Sequence, residues 1–261
     1  MRMIDLTLPL YDFMPVGNVW AWDVPFQARP ITTAERNGYE LTMVTMHSEA
    51  GTRLMIRAMT HEGAATVDQL PLESLVARQA VVVDAPCGKG DGVSPEQIDR
   101  AFEGADFREG DAVVIRTGWG ENERWKTLGD DYARHTPFIT KEGAERLVEH
   151  MSAKGSDLVG SDVAYWGQGH KYQLPEWASR PAWERNPFPS MEAQRYLAGY
   201  TKEKALEDFQ SPAVMTGANI NFVGAMCNLG AIRARRFKLT ILPLKIQGAR
   251  GATCRAIAVE E

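Results

Sequence analysis

Asp111–Gly120, DAVVIRTGWG, and Thr140–Asp162, TKEGAERLVEHMSAKGSDLVGSD, decide the fold class. The first is a β-branched run that reads as a strand over Asp111–Thr117 and stops at Gly118. In the second, Ala144, Leu147, Val148 and Met151 fall at the spacing of one helix face, which predicts a helix from Thr140 to about Lys154. His150 sits beside that face as a structural residue. Asp157–Asp162, DLVGSD, then reads as the next strand. Strand, helix and strand in this order place the chain among α/β proteins.

The same reading extends both ways. Upstream, Met3–Leu10 is a short strand stopped by Pro9, and QAVVVDA at Gln79–Ala85 is a buried strand. The glycines of CGKGDG after it lack the order of a phosphate loop and read as a turn. Ser94-Pro95-Glu96-Gln97 is a helix start, with a serine cap and glutamine three residues on, and Ile98, Ala101 and Phe102 share one face. Downstream of Asp162 a loop rich in tryptophan and proline carries His170, Lys171 and Tyr172. Residues 190–209 read as helical, and Ala218–Val223, Leu239–Ile246 and Cys254–Val259 as strands. With no repeat and no linker, the whole of 1–261 is expected to be one domain with many short strands.

Of the 261 residues 44% are hydrophobic and 24% charged, with a net charge of −5. That balance offers no basic field for nucleic acid or an anionic membrane, and Arg233, Arg235, Arg236 and Lys238 are expected to be a solvated surface. No apolar run approaches the roughly 20 residues of a membrane span. No signal peptide is expected, because Asp5 interrupts the first apolar run. Cys87, Cys227 and Cys254 form no CxxC pair, and a reducing, cytoplasmic setting is the expectation. Cys227 lacks a base partner in sequence and reads as an inert buried thiol.

Chemistry concentrates in Tyr39–Asp68, YELTMVTMHSEAGTRLMIRAMTHEGAATVD, where arginines, histidines and a glutamate crowd beside methionines. Such groups are costly to bury unless paired or used. Read as a strand pair, it puts His47, Glu49, Arg53 and Arg57 on one side by alternation, provided no bulge intervenes at Gly51. His61 reads as a turn residue. Trp20 and Trp22 lie in a loop broken by proline and glycine, where they either cap a pocket or pack at a subunit interface.

Four segments in order resemble the cyclase family, which includes bacterial kynurenine formamidases and isatin hydrolases. IDLTLPL is similar to its opening strand, and DAVVIRTGW to its strand ending in R-T-G-W. HTPFITKEGAERLVEHMSAKGSDLVGSD is similar to its helix–strand segment leading to a G-x-D turn, which marks Asp162. PLKIQGARGATCRAIAV is similar to its closing pair of strands. The resemblance implies a single α/β domain of the swivelling β/β/α-like type, homo-oligomeric assembly and hydrolysis of small cyclic or aromatic compounds.

It also implies a metal site that this chain has rewritten. The family signature H-x-G-T-H-x-D-x-P-x-H, aligned on Gly51-Thr52, places Glu49, Arg53 and Met55 at the first two histidines and the aspartate. Arg57 then falls at the proline and Met59 at the last histidine. The family's later histidine and glutamate fall near Pro212 and Gly224. Arginine cannot become a ligand, and thioethers suit soft metals rather than zinc or manganese. His47, Glu49, His61 and Glu62 follow no familiar ligand spacing. No metal and no cofactor are therefore expected.

A catalytic zinc lowers the pKa of bound water from about 15.7 to about 7, a help on the order of 12 kcal/mol. A positioned base contributes only about 10²–10⁴-fold, so an unactivated amide is out of reach. The expectation is a metal-independent enzyme for a small, anionic, carboxylated cyclic or aromatic compound, opening its ring by general-base hydrolysis. Dehydration or double-bond isomerisation in the same pocket, and a catalytically inactive binding protein, are the alternatives; a further one makes Arg53 and Arg57 ion-paired structural residues. Glu49 would be the base, Arg53 and Arg57 would hold a carboxylate or oxyanion, and His170 and Tyr172 would act as acid or orienting groups. Trp20, Trp22 and Trp166 would wall the substrate, with Asp162 at the strand end feeding that loop.

Overall fold

Valines, isoleucines and alanines arranged with a period of two build the sheet on which the molecule rests. The computed structural model describes residues 1–168, 175–180, 184 and 191–261. Its strands are β1 (Arg2–Asp5), β2 (Gln27–Thr32), β3 (Leu41–Thr45), β4 (Arg53–Met55), β5 (Arg78–Asp84), β6 (Gly92–Val93), β7 (Ala112–Arg116), β8 (Phe138–Ile139), β9 (Leu158–Ser161), β10 (Asn221–Gly224), β11 (Arg236–Pro243) and β12 (Gly251–Glu260). The helices are α1 (Ala34–Asn37), α2 (Pro95–Phe102), α3 (Arg124–Thr127), α4 (Asp130–Arg134), α5 (Lys141–Ser152), α6 (Met191–Ala198), α7 (Lys202–Asp208) and α8 (Gln210–Gly217).

The large sheet runs β1-β12-β11-β5-β7-β9-β10-β4, and β4 pairs again with β12. That second pairing closes the seven strands from β12 to β4 into a barrel, while β1 lies along the far half of β12. β5, β7, β9 and β10 are mutually parallel, and the rest of the ring is antiparallel. In β7 the alternation sorts Val113 and Ile115 onto one face and Ala112 and Val114 onto the other. Val113 and Ile115 meet Ile98 of α2 and Ala144, Leu147 and Met151 of α5 outside the barrel. Ala112 and Val114 join Leu54, Val223, Leu239, Ala252 and Ala256 inside it. Among the described residues no helix is long and apolar enough to cross a membrane.

Caps fall where the sequence places them. Ser94 accepts from the Gln97 backbone and Gln97 returns the bond at the start of α2, and Thr140 accepts from Gly143 at the start of α5. His150 stacks on Phe102 at 4.4 Å and hydrogen-bonds Asp99 at 2.7 Å, which ties α5 to α2. Other elements differ from expectation. The helical span 190–209 divides at Thr201, whose side chain caps α7. A further helix, α8, follows directly and delays the next strand to Asn221. The strand pair read into Tyr39–Asp68 does not form. β3 pairs with β2 in a hairpin outside the barrel, residues 46–52 are a loop, and β4 enters the barrel instead.

Candidate active site

The loop 46–52, the end of β4 and the start of α8 meet under the Trp20–Trp22 loop and enclose a cleft of about 310 Å³. Its roof is aromatic. Trp20 stacks between Trp22 at 5.1 Å and Phe209 at 4.9 Å, and Trp22 meets Tyr200 edge-on at 5.1 Å. Asp23 sets this roof in place, because its carboxylate accepts from the backbones of Val19 (2.7 Å) and Trp20 (2.9 Å). Trp166 forms a wall with its indole N–H donated to the Val223 carbonyl at 3.2 Å.

Glu49 and Arg53 are the polar centre. Burial pushes the Glu49 carboxyl above its ordinary value, opposed chiefly by the charge of Arg53. His47 holds the backbone beneath it. Its Nδ1 accepts from the Glu49 N–H at 3.2 Å, which leaves Nε2 to donate to the Gly17 carbonyl at 3.2 Å. Arg53 is buried at 3% exposure and donates to the carbonyls of Gly51 (3.2 Å) and Ala164 (2.6 Å), with its guanidinium over the Tyr165 ring at 4.7 Å. A guanidinium carries five N–H donors, so these two bonds leave donors for a ligand.

The rewritten metal signature converges on this cleft. Glu49, Arg53, Met55, Met59 and Pro212 all line it, and Gly224 pairs opposite Arg53 across β10 and β4. Gly224 also faces the cleft walls, for a methyl placed on it would meet Met55 at 3.3 Å and Trp166 at 3.4 Å. One carboxylate, one guanidinium, two thioethers, a proline and a glycine do not make a zinc or manganese site. Asp23, His47 and Asp208 border the same space, yet among the described residues no three His, Cys, Asp or Glu side chains are grouped to hold a metal ion. The residues present do not fit the family's metal.

Two assigned site residues stand elsewhere. Arg57 does not share a side with Arg53, because β4 ends at Met55 and Arg57 opens a 3-10 turn. Its guanidinium caps α8, donating to the carbonyls of Thr216 (3.1 Å) and Gly217 (3.2 Å). Asp162 is fully buried away from the cleft. It accepts from the Thr117 backbone (2.9 Å) and hydroxyl (2.7 Å), and from the backbones of Gly118 (2.9 Å) and Gly120 (3.2 Å). It therefore holds the turn after β7. His170 and Tyr172 lie outside the described residues. His61 bonds Thr60 and does not reach the cleft. Burial pushes the Cys227 thiol up to about 12, which suits an inert residue.

Tyr165, Asp208 and Phe209 were not legible as site residues. Tyr165 accepts from the Gly17 N–H at 3.0 Å while its ring supports Arg53. Asp208 is buried between Lys204 and the Tyr200 hydroxyl, which donates to it at 2.6 Å. Only the adjacency of Tyr165 to Trp166 gave a signal.

A closed barrel with an aromatic-roofed cleft at the end of β4 frames the candidate site on an α/β scaffold. The chain belongs to the cyclase family: the family model, described as "Putative cyclase", matches residues 4–166. No curated protein sequence matches it. In fold it is similar to isatin hydrolase A from Ralstonia solanacearum, at 20% identity and a TM-score of 0.73, covering 100% of this chain and 92% of that one. It is likewise similar to isatin hydrolase A from Labrenzia aggregata, solved with benzyl benzoate bound, at 21% identity and a TM-score of 0.70, covering 100% and 94%. A predicted metal-dependent hydrolase from Bacillus stearothermophilus is similar at 18% identity and a TM-score of 0.64, covering 100% and 98%.

Proposed function

We propose that the protein is a metal-independent hydrolase that opens the ring of a small cyclic or aromatic compound, with Glu49 as general base. The reading rests on one observation above all: a carboxylate with a raised pKa stands beside a buried arginine in a cleft roofed by tryptophans. A base drawn up toward neutrality takes a proton more readily than an ordinary glutamate. The similarity in fold to isatin hydrolases supports a cyclic substrate with an activated carbonyl.

The chemistry balances with the chain's own groups. Glu49 takes a proton from water as the water oxygen bonds to the ring carbonyl carbon, and the carbonyl oxygen receives the electron pair. Arg53 donates to that oxyanion, in a site where burial strengthens the contact. When the oxyanion collapses, the bond from carbon to the ring nitrogen or oxygen breaks, and the proton on Glu49 passes to that leaving atom. The product is a ring-opened carboxylic acid, which releases its remaining proton to solvent and becomes a carboxylate whose charge Arg53 also suits. An anionic substituent on the substrate would be held in the same way.

Replacing Glu49 with glutamine tests the reading. Turnover of activated lactones and cyclic amides is expected to fall at least about 10²-fold, the scale of a lost general base, with binding within a few fold of wild type. Elemental analysis and chelator treatment of the purified protein accompany it. Stoichiometric zinc or manganese, or activity lost to chelation, would overturn the metal-independent part.

A further inference from the structure

We infer that the substrate carries an apolar arm, received by a second chamber that adjoins the Glu49 cleft across a thin partition. The chamber, about 350 Å³, lies between α7, α8 and the end of the 3-10 turn Arg57–Met59, and its walls include Thr60, Lys202, Ala205, Leu206 and Thr216. Met59, Phe209 and Pro212 line both spaces. These three side chains form the partition, and one of them is methionine, whose unbranched thioether shifts easily to suit a ligand.

The lining determines what enters. The chamber's hydroxyls are already committed, because Thr60 and Thr216 bond each other at 2.6 Å and Thr216 reaches the Pro212 carbonyl at 2.9 Å. An occupant therefore meets satisfied hydroxyls and the apolar faces of Ala205, Leu206, Phe209 and Met59, with the ammonium of Lys202, an exposed residue, as the one charged group in the lining. A hydrocarbon or aryl arm gains from burial there without leaving any donor unpaired, whereas a polar arm would lose its own water. The shared wall identifies the occupant: the reacting ring sits at Glu49 and Arg53, and the arm enters the chamber where the Met59 side chain gives way. The inference rests on the proposed function only for which end of the ligand lies at Glu49.

The test is a series of γ-lactones with lengthening alkyl arms, from γ-butyrolactone to γ-decalactone, titrated calorimetrically into the Glu49→Gln protein so that no ring is opened. Each early methylene is expected to tighten binding about fourfold, the value of a buried methylene, until the chamber is full. Ala205→Phe, which fills the chamber, is expected to flatten that gain. Leu206→Trp on the rim serves the same purpose should the first variant misfold, with circular dichroism reporting on both. A flat series, no binding by any member, or an unchanged slope in a folded variant would overturn the chamber; if neither variant folds, the parent series decides. Wild-type rates on the same lactones separate the two readings. Affinity that grows with the arm while no lactone opens leaves the chamber standing and defeats the hydrolase. Lactones that open at rates and affinities indifferent to the arm defeat the chamber alone.

Discussion

The Glu49 carboxylate lies against the bare Cα of Gly251, so near that a methyl there would meet Oε1 at 2.6 Å and Cδ at 2.8 Å. Gly251 is the first residue of β12 and pairs with Met55 of β4. Barrel closure and placement of the Glu49 carboxylate, the base of the proposed reaction, thus meet at one glycine. Gly251→Ala is expected to push the carboxylate aside and lower kcat about 10- to 100-fold, the scale for displacing a reacting group by an ångström. The barrel itself should survive, so thermal unfolding would shift by only a few degrees. An unchanged kcat in the folded variant would mean that Glu49 does not act from this pose.

The raised pKa of Glu49 has opposite consequences for activity and stability. Between its ordinary value of 4.5 and its raised folded value, the folded chain holds this proton more often than the unfolded chain does. Its contribution to unfolding free energy therefore falls as pH rises through that window. As a base it must be ionised, so kcat should rise with pH across the same window. Urea unfolding at several pH values, for wild type and Glu49→Gln, is expected to show a downward contribution in wild type that the variant lacks.

Trp22 is half-buried, stacked on Trp20 and edge-on to Tyr200. Removing it takes one layer from the roof while leaving buried Trp20 seated on Phe209. Trp22→Ala should weaken binding of a flat aromatic ligand by about 1–2 kcal/mol, roughly five- to thirtyfold in Kd. Calorimetry on the variant would check it, and an unchanged Kd would place the ligand away from the roof.

What the sequence made legible, and what it did not, follows the range of the interactions involved. α5 was readable because Thr140, the apolar face at Ala144, Leu147 and Met151, and the strand after it are local signals. Barrel closure was not, since β4 finds both partners, β10 and β12, far along the chain. Glu49, Arg53, Trp20, Trp22 and Trp166 were placed in one site before any geometry and do share one cleft. Arg57 was misplaced because alternation was carried past Met55, where the backbone turns into a 3-10 helix. Asp162 was misassigned for a different reason. A glycine-flanked aspartate at a strand end looks the same whether its carboxylate faces a ligand or neighbouring backbone N–H groups.

Asp162 is held by hydrogen bonds from neighbouring backbone and a hydroxyl, in contrast to Glu49, whose carboxylate faces the cleft. Burial pushes its pKa up while the hydrogen bonds from Thr117, Gly120 and Gly118 pull it down, and burial prevails. Asp162→Ala would leave four donors without an acceptor in a dry site, at a cost of about 3–5 kcal/mol in stability. Asp162→Asn can keep the Thr117 bonds but turns an amide N–H toward the N–H groups of Gly118 and Gly120, so it too should lower the urea midpoint. Because the carboxylate is outside the cleft, kcat per folded molecule of the asparagine variant is expected to stay within a few fold of wild type. A folded Asp162→Asn protein with normal stability and no turnover would reverse the assignment and return Asp162 to the chemistry.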